Sequence, residues 1–198
     1  MLIPCPDYEA KLADGWLVVG VDEVGRGPLA GPVVAAAAVL SGPIEGLRDS
    51  KALSEKKRNV LTHTIVAEAA VSLGAVSARG IDDLGIEKAT HLAMQRAVDG
   101  LCLKTDAVVL VDGNRAPSFG EMRVITEVKA DASCPSVAAA SIIAKVTRDR
   151  AMTRLAERYN AYHWHTNKGY GSKAHREAIL AQGVTRHHRH SFLTKLLS

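Results

Sequence analysis

Apolar residues along this chain fall into short unbroken runs separated by glycine, proline and charge. Trp16–Val24 reads as a strand, followed by a turn over Gly25–Gly31 in which Pro28 and the neighbouring Pro32 exclude helix. Pro32–Leu40, PVVAAAAVL, has no polar face. Coming straight after a turn, it fits a second buried strand in a hairpin with the first, with helix as the competing reading of its alanines. Beyond a loop over Gly42–Lys51, Ser54 is placed to cap a helix through Lys56, Leu61, Ile65 and Ala69. Val71–Ala78 is a predicted third strand. Asp82 or Asp83 is expected to open one helix to about Leu101, with Ile86, Ala89, Ala93, Ala97 and Leu101 on one face. Ala107–Val111 and Met122–Lys129 are strands four and five. Pro135 suits a first helical turn, so Ser136 to about Tyr159 is the longest expected helix, apolar at its start and basic at its end. Ser172–Gln182, stopped by Gly183, is the expected last helix, and Pro6–Asp14 a short helix or an arm.

A hairpin followed by strands alternating with helices predicts an α/β fold: a mixed five-stranded sheet flanked by helices, in one domain over 1–198. Helical connections make neighbouring strands parallel, and ligands collect at their carboxyl ends. Asp22 and Asp112 fall at such ends, each closely followed by glycine, and Asp131 sits between a strand and a helix.

Composition narrows the class. Only 4% of the 198 residues are aromatic, so the core is expected to be tight and built of small side chains. The net charge is +4; with several acids gathered in one site, the remaining surface is more basic than that total and suits a polyanion. Cys5, Cys102 and Cys134 show no C-x-x-C spacing, which argues against a cysteine zinc site or a disulfide framework and for a reducing compartment. Residues 1–16 do not read as a signal peptide and no apolar run approaches a membrane span. A cytoplasmic protein is expected. It is expected to be a monomer, since no heptad or apolar seam is evident.

The chemistry lies in the acids. Paired divalent ions stabilise the attacking and leaving oxygens of phosphodiester cleavage, and hard cations need several carboxylates to bind and bridge them. Asp22, Glu23, Asp112 and Asp131 supply four. Strict strand alternation sends Asp22 and Glu23 to opposite faces, so both reach one cluster only if the strand twists or ends there. Gly25-Arg26-Gly27 then adds a cation held between two glycines.

These residues carry a resemblance. The run Gly20-Val21-Asp22-Glu23-Val24-Gly25-Arg26-Gly27 resembles the signature of the type 2 ribonucleases H, specifically bacterial ribonuclease HII. The likeness continues through Asp49-Ser50-Lys51, Val111-Asp112-Gly113-Asn114, Lys129-Ala130-Asp131-Ala132 and Ala138-Ala139-Ala140-Ser141-Ile142-Ile143-Ala144-Lys145-Val146-Thr147-Arg148-Asp149. It ends at Asn167-Lys168-Gly169-Tyr170-Gly171 with His175. The resemblance implies the ribonuclease H-like five-stranded sheet with a helical, substrate-binding C-terminal extension over about 160–198. It also implies an endonuclease that hydrolyses RNA in RNA/DNA hybrids and incises 5′ of single ribonucleotides in duplex DNA. Products would carry 3′-hydroxyl and 5′-phosphate ends, and two ions of Mg²⁺ or Mn²⁺ would serve catalysis. By motif, Asp22, Glu23, Asp112 and Asp131 match the catalytic and metal-binding acids. Gly25, Arg26 and Gly27 match the ribose-sensing segment, Tyr170 the tyrosine that packs on the junction sugar, and Lys51 and Lys168 positions near backbone phosphates.

Some features depart from the family or stand outside it. Lys129-Ala130-Asp131-Ala132-Ser133-Cys134-Pro135 stands where members commonly read Lys-Gly-Asp-Ala-Lys-Ser-Pro, and Gly85 replaces a common asparagine. Cys134 is expected to be a packed, inert thiol. Arg186-His187-His188-Arg189-His190 is expected to be a solvated basic tail touching duplex backbone, and Asp149 an ion-pair partner of Lys145. Two other classes compete: a catalytically silent hybrid-binding module, and an integrase-like DNA nuclease sharing only the acids. Four intact acids argue against the first, and a Gly-Arg-Gly run with Tyr170 against the second.

Overall fold

A computed structural model describes residues 3–103 and 106–198 of the chain; residues 1, 2, 104 and 105 of the expected single domain lie outside the described residues. The hairpin is present. β1 (Leu17–Val24) and β2 (Val33–Leu40) pair antiparallel after a first helix, α1 (Pro6–Ala13). α2 (Glu55–Glu68) follows, capped by the Ser54 hydroxyl, and leads into β3 (Ala69–Val76), antiparallel to β2. α3 (Ala78–Leu84), α4 (Ile86–Asp99), β4 (Ala107–Asp112) and β5 (Arg123–Glu127) come next. The sheet order is β3-β2-β1-β4-β5, with β4 parallel to β1 and β5 parallel to β4. The chain closes with α5 (Ala130–Ser133), α6 (Pro135–Arg158), α7 (Trp164–Asn167), α8 (Lys173–Gln182) and α9 (His190–Leu197).

Period-two alternation sorts the sheet into two faces. Val19, Val21, Ala35, Ala37, Val109 and Val111 pack on Ala89, Ala93, Met94 and Ala97 of α4. Ala36 and Ala38 pack on Ala138–Ala144 of α6 and Ile65 of α2. The alanine run is thus a strand covered on both sides, which is why it has no polar face. Small residues let the layers close up: a side chain at Gly20 would collide with the Ser136–Val137 backbone, and one at Gly74 with the Ala93 carbonyl. α1 is tied in as a cap rather than a loose arm. Glu9 Oε2 accepts from Ser136 N at 2.8 Å and Ser136 Oγ at 2.7 Å, satisfying the α6 N-terminus in place of a local side chain.

The structure corrects the pattern in several places. The single helix expected from Asp82 or Asp83 is two, α3 capped by Ser77 and α4 beginning after Gly85, whose φ of 78° breaks the run. Asp82 instead accepts from His190 N and Ser191 N, both at 2.9 Å, and so holds α9 in place. The third strand lies two residues earlier than expected, and α8 is not the last helix. The basic run 186–190 is not a solvated tail, for His188 is 1% and Arg189 0% exposed. Among the described residues no helix is long and apolar enough to cross a membrane.

Candidate active site

Asp22 lies on β1 and Asp112 ends β4, one position beyond the aligned pair Val21 and Val111. Parallel register therefore sets them side by side at the carboxyl ends of adjacent strands. Asp131 enters from α5, which follows β5, and Ala130 N donates to Asp112 Oδ1 at 2.8 Å, fixing the turn that carries it. Ligand atoms of Asp22, Asp112 and Asp131 all lie within 4.8 Å of one another. Glu23 is outside that group. Alternation holds to the end of the strand, so Asp22 faces the α6 side while Glu23 faces the α4 side. There Glu23 lines a cavity of about 290 Å³ with Arg26, Thr90, His91, Met94, Asp112, Asn114 and Arg115. Asp112, at the strand terminus, borders both sides.

The loop after β1 places the other predicted residues. Gly25 has φ of 93°, and Arg26 Nη1 lies 3.6 Å from Glu23 Oε1. A Cβ at Gly27 would sit 3.9 Å from the Tyr170 ring, so the two ends of the motif meet in space across 143 residues (170 minus 27). Tyr170 keeps 43% of its surface exposed, and Leu29 N donates to Gly169 O at 2.8 Å, joining its loop to the glycine turn. Lys51, whose backbone N–H donates to the Asp49 cap at 2.8 Å, lies within the field of Asp131, Asp22 and Asp112. Lys168 is tied down, its Nζ donating to Thr153 Oγ1 at 2.9 Å and His165 O at 2.6 Å.

The profile of the family described as Ribonuclease HII matches residues 19–195. The chain belongs to the ribonuclease HII family. A ribonuclease HII of Cereibacter sphaeroides is 51% identical, the match covering 97% of this chain and 93% of that one. One from Shewanella loihica is 54% identical over 87% of this chain and 85% of its own. The crystal structure of ribonuclease H2 from Pyrococcus horikoshii superposes with a TM-score of 0.76 at 30% identity, covering 90% of this chain and 96% of that one. The protein is an endoribonuclease, a hydrolase that cleaves RNA in RNA/DNA hybrids with a divalent metal.

Electrostatics in this ribonuclease HII site fit such a metal. Burial, then Glu23 and Asp112, push the Asp22 carboxyl well above its ordinary range. Burial raises Asp112 against the pull of Ala130 N and Lys51. Burial, Asp112 and Asp49 raise Asp131 to about 6. Glu23 is raised by burial, with Arg26 opposing and Asp112 adding. Carboxylates held together against their own charge are hard oxygen donors whose repulsion a divalent cation removes. Burial works against the charge of Lys51, yet Asp131, Asp49, Asp22 and Asp112 together hold its ammonium above the usual lysine range. Cys134 is buried and its thiol is pushed up to about 11 by burial, the inert state expected of it. Lys145 and Asp149 pair at 3.0 Å.

Two residues beside the site escaped the pattern. Arg148, expected on the exposed basic end of α6, is 0% exposed, as is Arg189. Arg148 falls inside the Ala138–Asp149 run that carries the family resemblance, but the one sign of burial for either residue is proximity to apolar residues, Met152 one turn on from Arg148 and Phe192 three after Arg189. What draws them inward is backbone carbonyls, to which composition is blind.

Proposed function

We propose that this ribonuclease HII incises duplex DNA on the 5′ side of a single embedded ribonucleotide as well as cutting long hybrids, leaving 3′-hydroxyl and 5′-phosphate ends. The observation that carries this reading is the meeting of Gly27 and Tyr170: a glycine turn that follows the strand carrying Asp22 and Glu23, with Arg26 3.6 Å from Glu23, lies against one half-exposed ring. Glycine lets backbone groups approach a sugar closely, and a 2′-hydroxyl both donates and accepts a hydrogen bond. Gly25, Arg26 and Gly27 recognise that hydroxyl in this reading, and Tyr170 packs on the adjoining sugar. Lys51 and Lys168 lie at the phosphates flanking the cut.

Asp22, Asp112 and Asp131 would hold Mg²⁺ or Mn²⁺, and Glu23, on the α4 side of Asp112, would supply a fourth carboxylate. Bound there, divalent metal would supply charge neutralisation at the attacking and leaving oxygens of the phosphodiester. The protein orients the strand: Arg26 stays beside Glu23, and the Lys51 ammonium offsets the negative charge of the acids where the phosphate enters.

The test is a DNA duplex containing one ribonucleotide, incubated with Mg²⁺, with Mn²⁺ and with chelator. Incision 5′ of the ribonucleotide with either metal and none with chelator is expected; an uncut duplex at every metal concentration refutes the reading. Asp22→Asn and Asp112→Asn are expected to lower kcat by at least about a thousandfold, several kcal/mol of barrier, while hybrid binding stays measurable. A variant cutting at the parent rate would remove that carboxylate from the metal set.

A further inference from the structure

The turn Gly25–Pro32 bonds to the rest of the protein mainly through its carbonyl oxygens, and two buried guanidiniums take most of them. Arg189 Nη2 donates to Gly25 O at 2.6 Å and to Gly31 O at 2.9 Å; its Nη1 donates to Arg26 O at 2.8 Å and its Nε to Gly31 O at 3.0 Å. Arg148 donates from Nε to Pro32 O at 2.9 Å, from Nη2 to Ala30 O at 3.1 Å and from Nη1 to Lys168 O at 2.9 Å. It thus bridges the turn to the loop that carries Tyr170, whose ring centroid is 5.9 Å from the Arg148 guanidinium carbon. Among the described residues, the ion pairs formed involve neither arginine.

Two fully buried cations without a carboxylate are an expensive way to fill a core. Replacing buried charges by apolar side chains of similar volume is often neutral or stabilising, so stability alone does not account for them. Geometry does. A planar guanidinium presents five donors in a rigid fork and reaches three divergent carbonyls at once, which the point charge of lysine does not. The peptide bonds are all trans among the described residues. In a trans peptide the C=O and the following N–H point in opposite directions. Drawing Gly25 O and Arg26 O inward therefore aims the N–H groups of Arg26 and Gly27 the other way, away from the buried Arg189 guanidinium. Neither N–H meets a protein acceptor among the described residues. The same packing explains two glycines: a Cβ on Gly25 would lie 2.6 Å from Arg148 Cδ, and one on Gly31 would collide with Met152.

We propose that Arg189, with Arg148 beside it, is a positioning residue that holds the Gly25-Arg26-Gly27 amides toward the sugar and so sets selectivity for a lone ribonucleotide. This rests on the single-ribonucleotide activity proposed above. A long hybrid offers a 2′-hydroxyl at every register and tolerates a loosened turn, whereas a lone ribonucleotide offers one.

The experiment compares kcat/KM on a single-ribonucleotide duplex with kcat/KM on a continuous RNA/DNA hybrid for the parent, Arg189→Lys and Arg148→Lys. Melting temperature and Mn²⁺ binding to the acid cluster are measured alongside. For Arg189→Lys the ratio of the two specificity constants is expected to fall about tenfold or more, equivalent to about 1.4 kcal/mol lost at one sugar contact, with Mn²⁺ binding unchanged. Arg148→Lys is expected to shift the ratio in the same direction. Equal losses on both substrates, or two lysine variants that do not fold, overturn the inference, because the guanidiniums would then serve the whole domain. A parent that leaves the single-ribonucleotide duplex intact is a different result: it removes the functional reading first, and this inference with it.

Discussion

Asp131 shows how the site spends stability on function. Asp131 is 4% exposed, and burial, Asp112 and Asp49 raise its carboxyl to about 6. A carboxyl that binds its proton more tightly when folded contributes stability below the unfolded value near 4, and that contribution is lost as pH rises through about 6. An Asn carries no charge and so escapes the repulsion of Asp112 and Asp49. Asp131→Asn is therefore expected to unfold later than its parent in chelator-containing urea titrations, by about 1–3 kcal/mol above pH 6 and with little difference near pH 4. The same variant is expected to lose metal-dependent cleavage. Equal stability of the two proteins at neutral pH would mean that the acids are not held against their charge. Tyr170 makes a separate case at this scale. Its ring is half exposed and lies against Gly27 and the Arg148 guanidinium, outside the grouped carboxylates, so Tyr170→Ala removes no metal ligand. The loss of kcat/KM is expected to be larger on a single ribonucleotide than on a long hybrid, and equal losses would refute a junction-sensing role.

At the scale of elements, β1 and α6 are pressed backbone to backbone at Gly20, with no flexible side chain between them to give way. α5, which carries Asp131, is joined to α6 through Cys134, so anything that moves the start of α6 moves a ligand. Gly20→Ala is expected to cost about 1–3 kcal/mol by overpacking and to weaken Mn²⁺ binding to the folded protein. Gly74→Ala, on β3 against α4, is expected to cost similar stability without changing Mn²⁺ affinity. Calorimetric titration with Mn²⁺ beside thermal melts separates the two, and a Gly74→Ala protein that loses metal affinity as well would contradict this division. The elements also show what a sequence can disclose. β1, β2, α2, β4 and α6 were legible because a buried strand or helix announces itself by apolar runs and by caps such as Ser54 and Pro135. The break at Gly85 was not, since one glycine inside a helical pattern is ordinary and the pattern of apolar residues continues across it. Asp82 looked like a cap and is one, but for α9, a helix more than a hundred residues later. Asp22, Asp112 and Asp131 were readable as strand-end acids. That Glu23 stays on the other face follows from alternation, which the strand obeys to its last residues.

Across the whole molecule, two buried groups of opposite sign set the response to pH. Trp164 Nε1 donates to His175 Nε2 at 3.0 Å, so the His175 proton sits on Nδ1, which donates to Tyr170 O at 2.8 Å. His188 Nδ1 accepts from Thr185 N at 2.9 Å, leaving its Nε2–H to face His175 Nε2 at 3.2 Å. Both rings are neutral in this arrangement, and a further proton on either would set donor against donor. Burial, then His175 and His190, hold His188 down to about 4, and burial lowers His175 as well. A depressed histidine contributes stability that is present above about 6.5 and is lost as pH falls toward the folded value. Asp131 does the reverse, losing stability as pH rises from about 4 to about 6, and the raised Asp22 and Asp112 act in the same direction. Without metal, the two trends oppose each other over nearly the same window, and the melting temperature is expected to change little across it. A bound divalent ion holds the carboxylates ionised and removes only the second trend. The melting-temperature gain on adding Mg²⁺ or Mn²⁺ is therefore expected to be near zero at about pH 4 and to grow as pH rises through about 6. Thermal melts with metal and with chelator across that range decide the matter. A gain of equal size at about pH 4.5 and about pH 8 would place the ion on groups other than Asp22, Asp112 and Asp131.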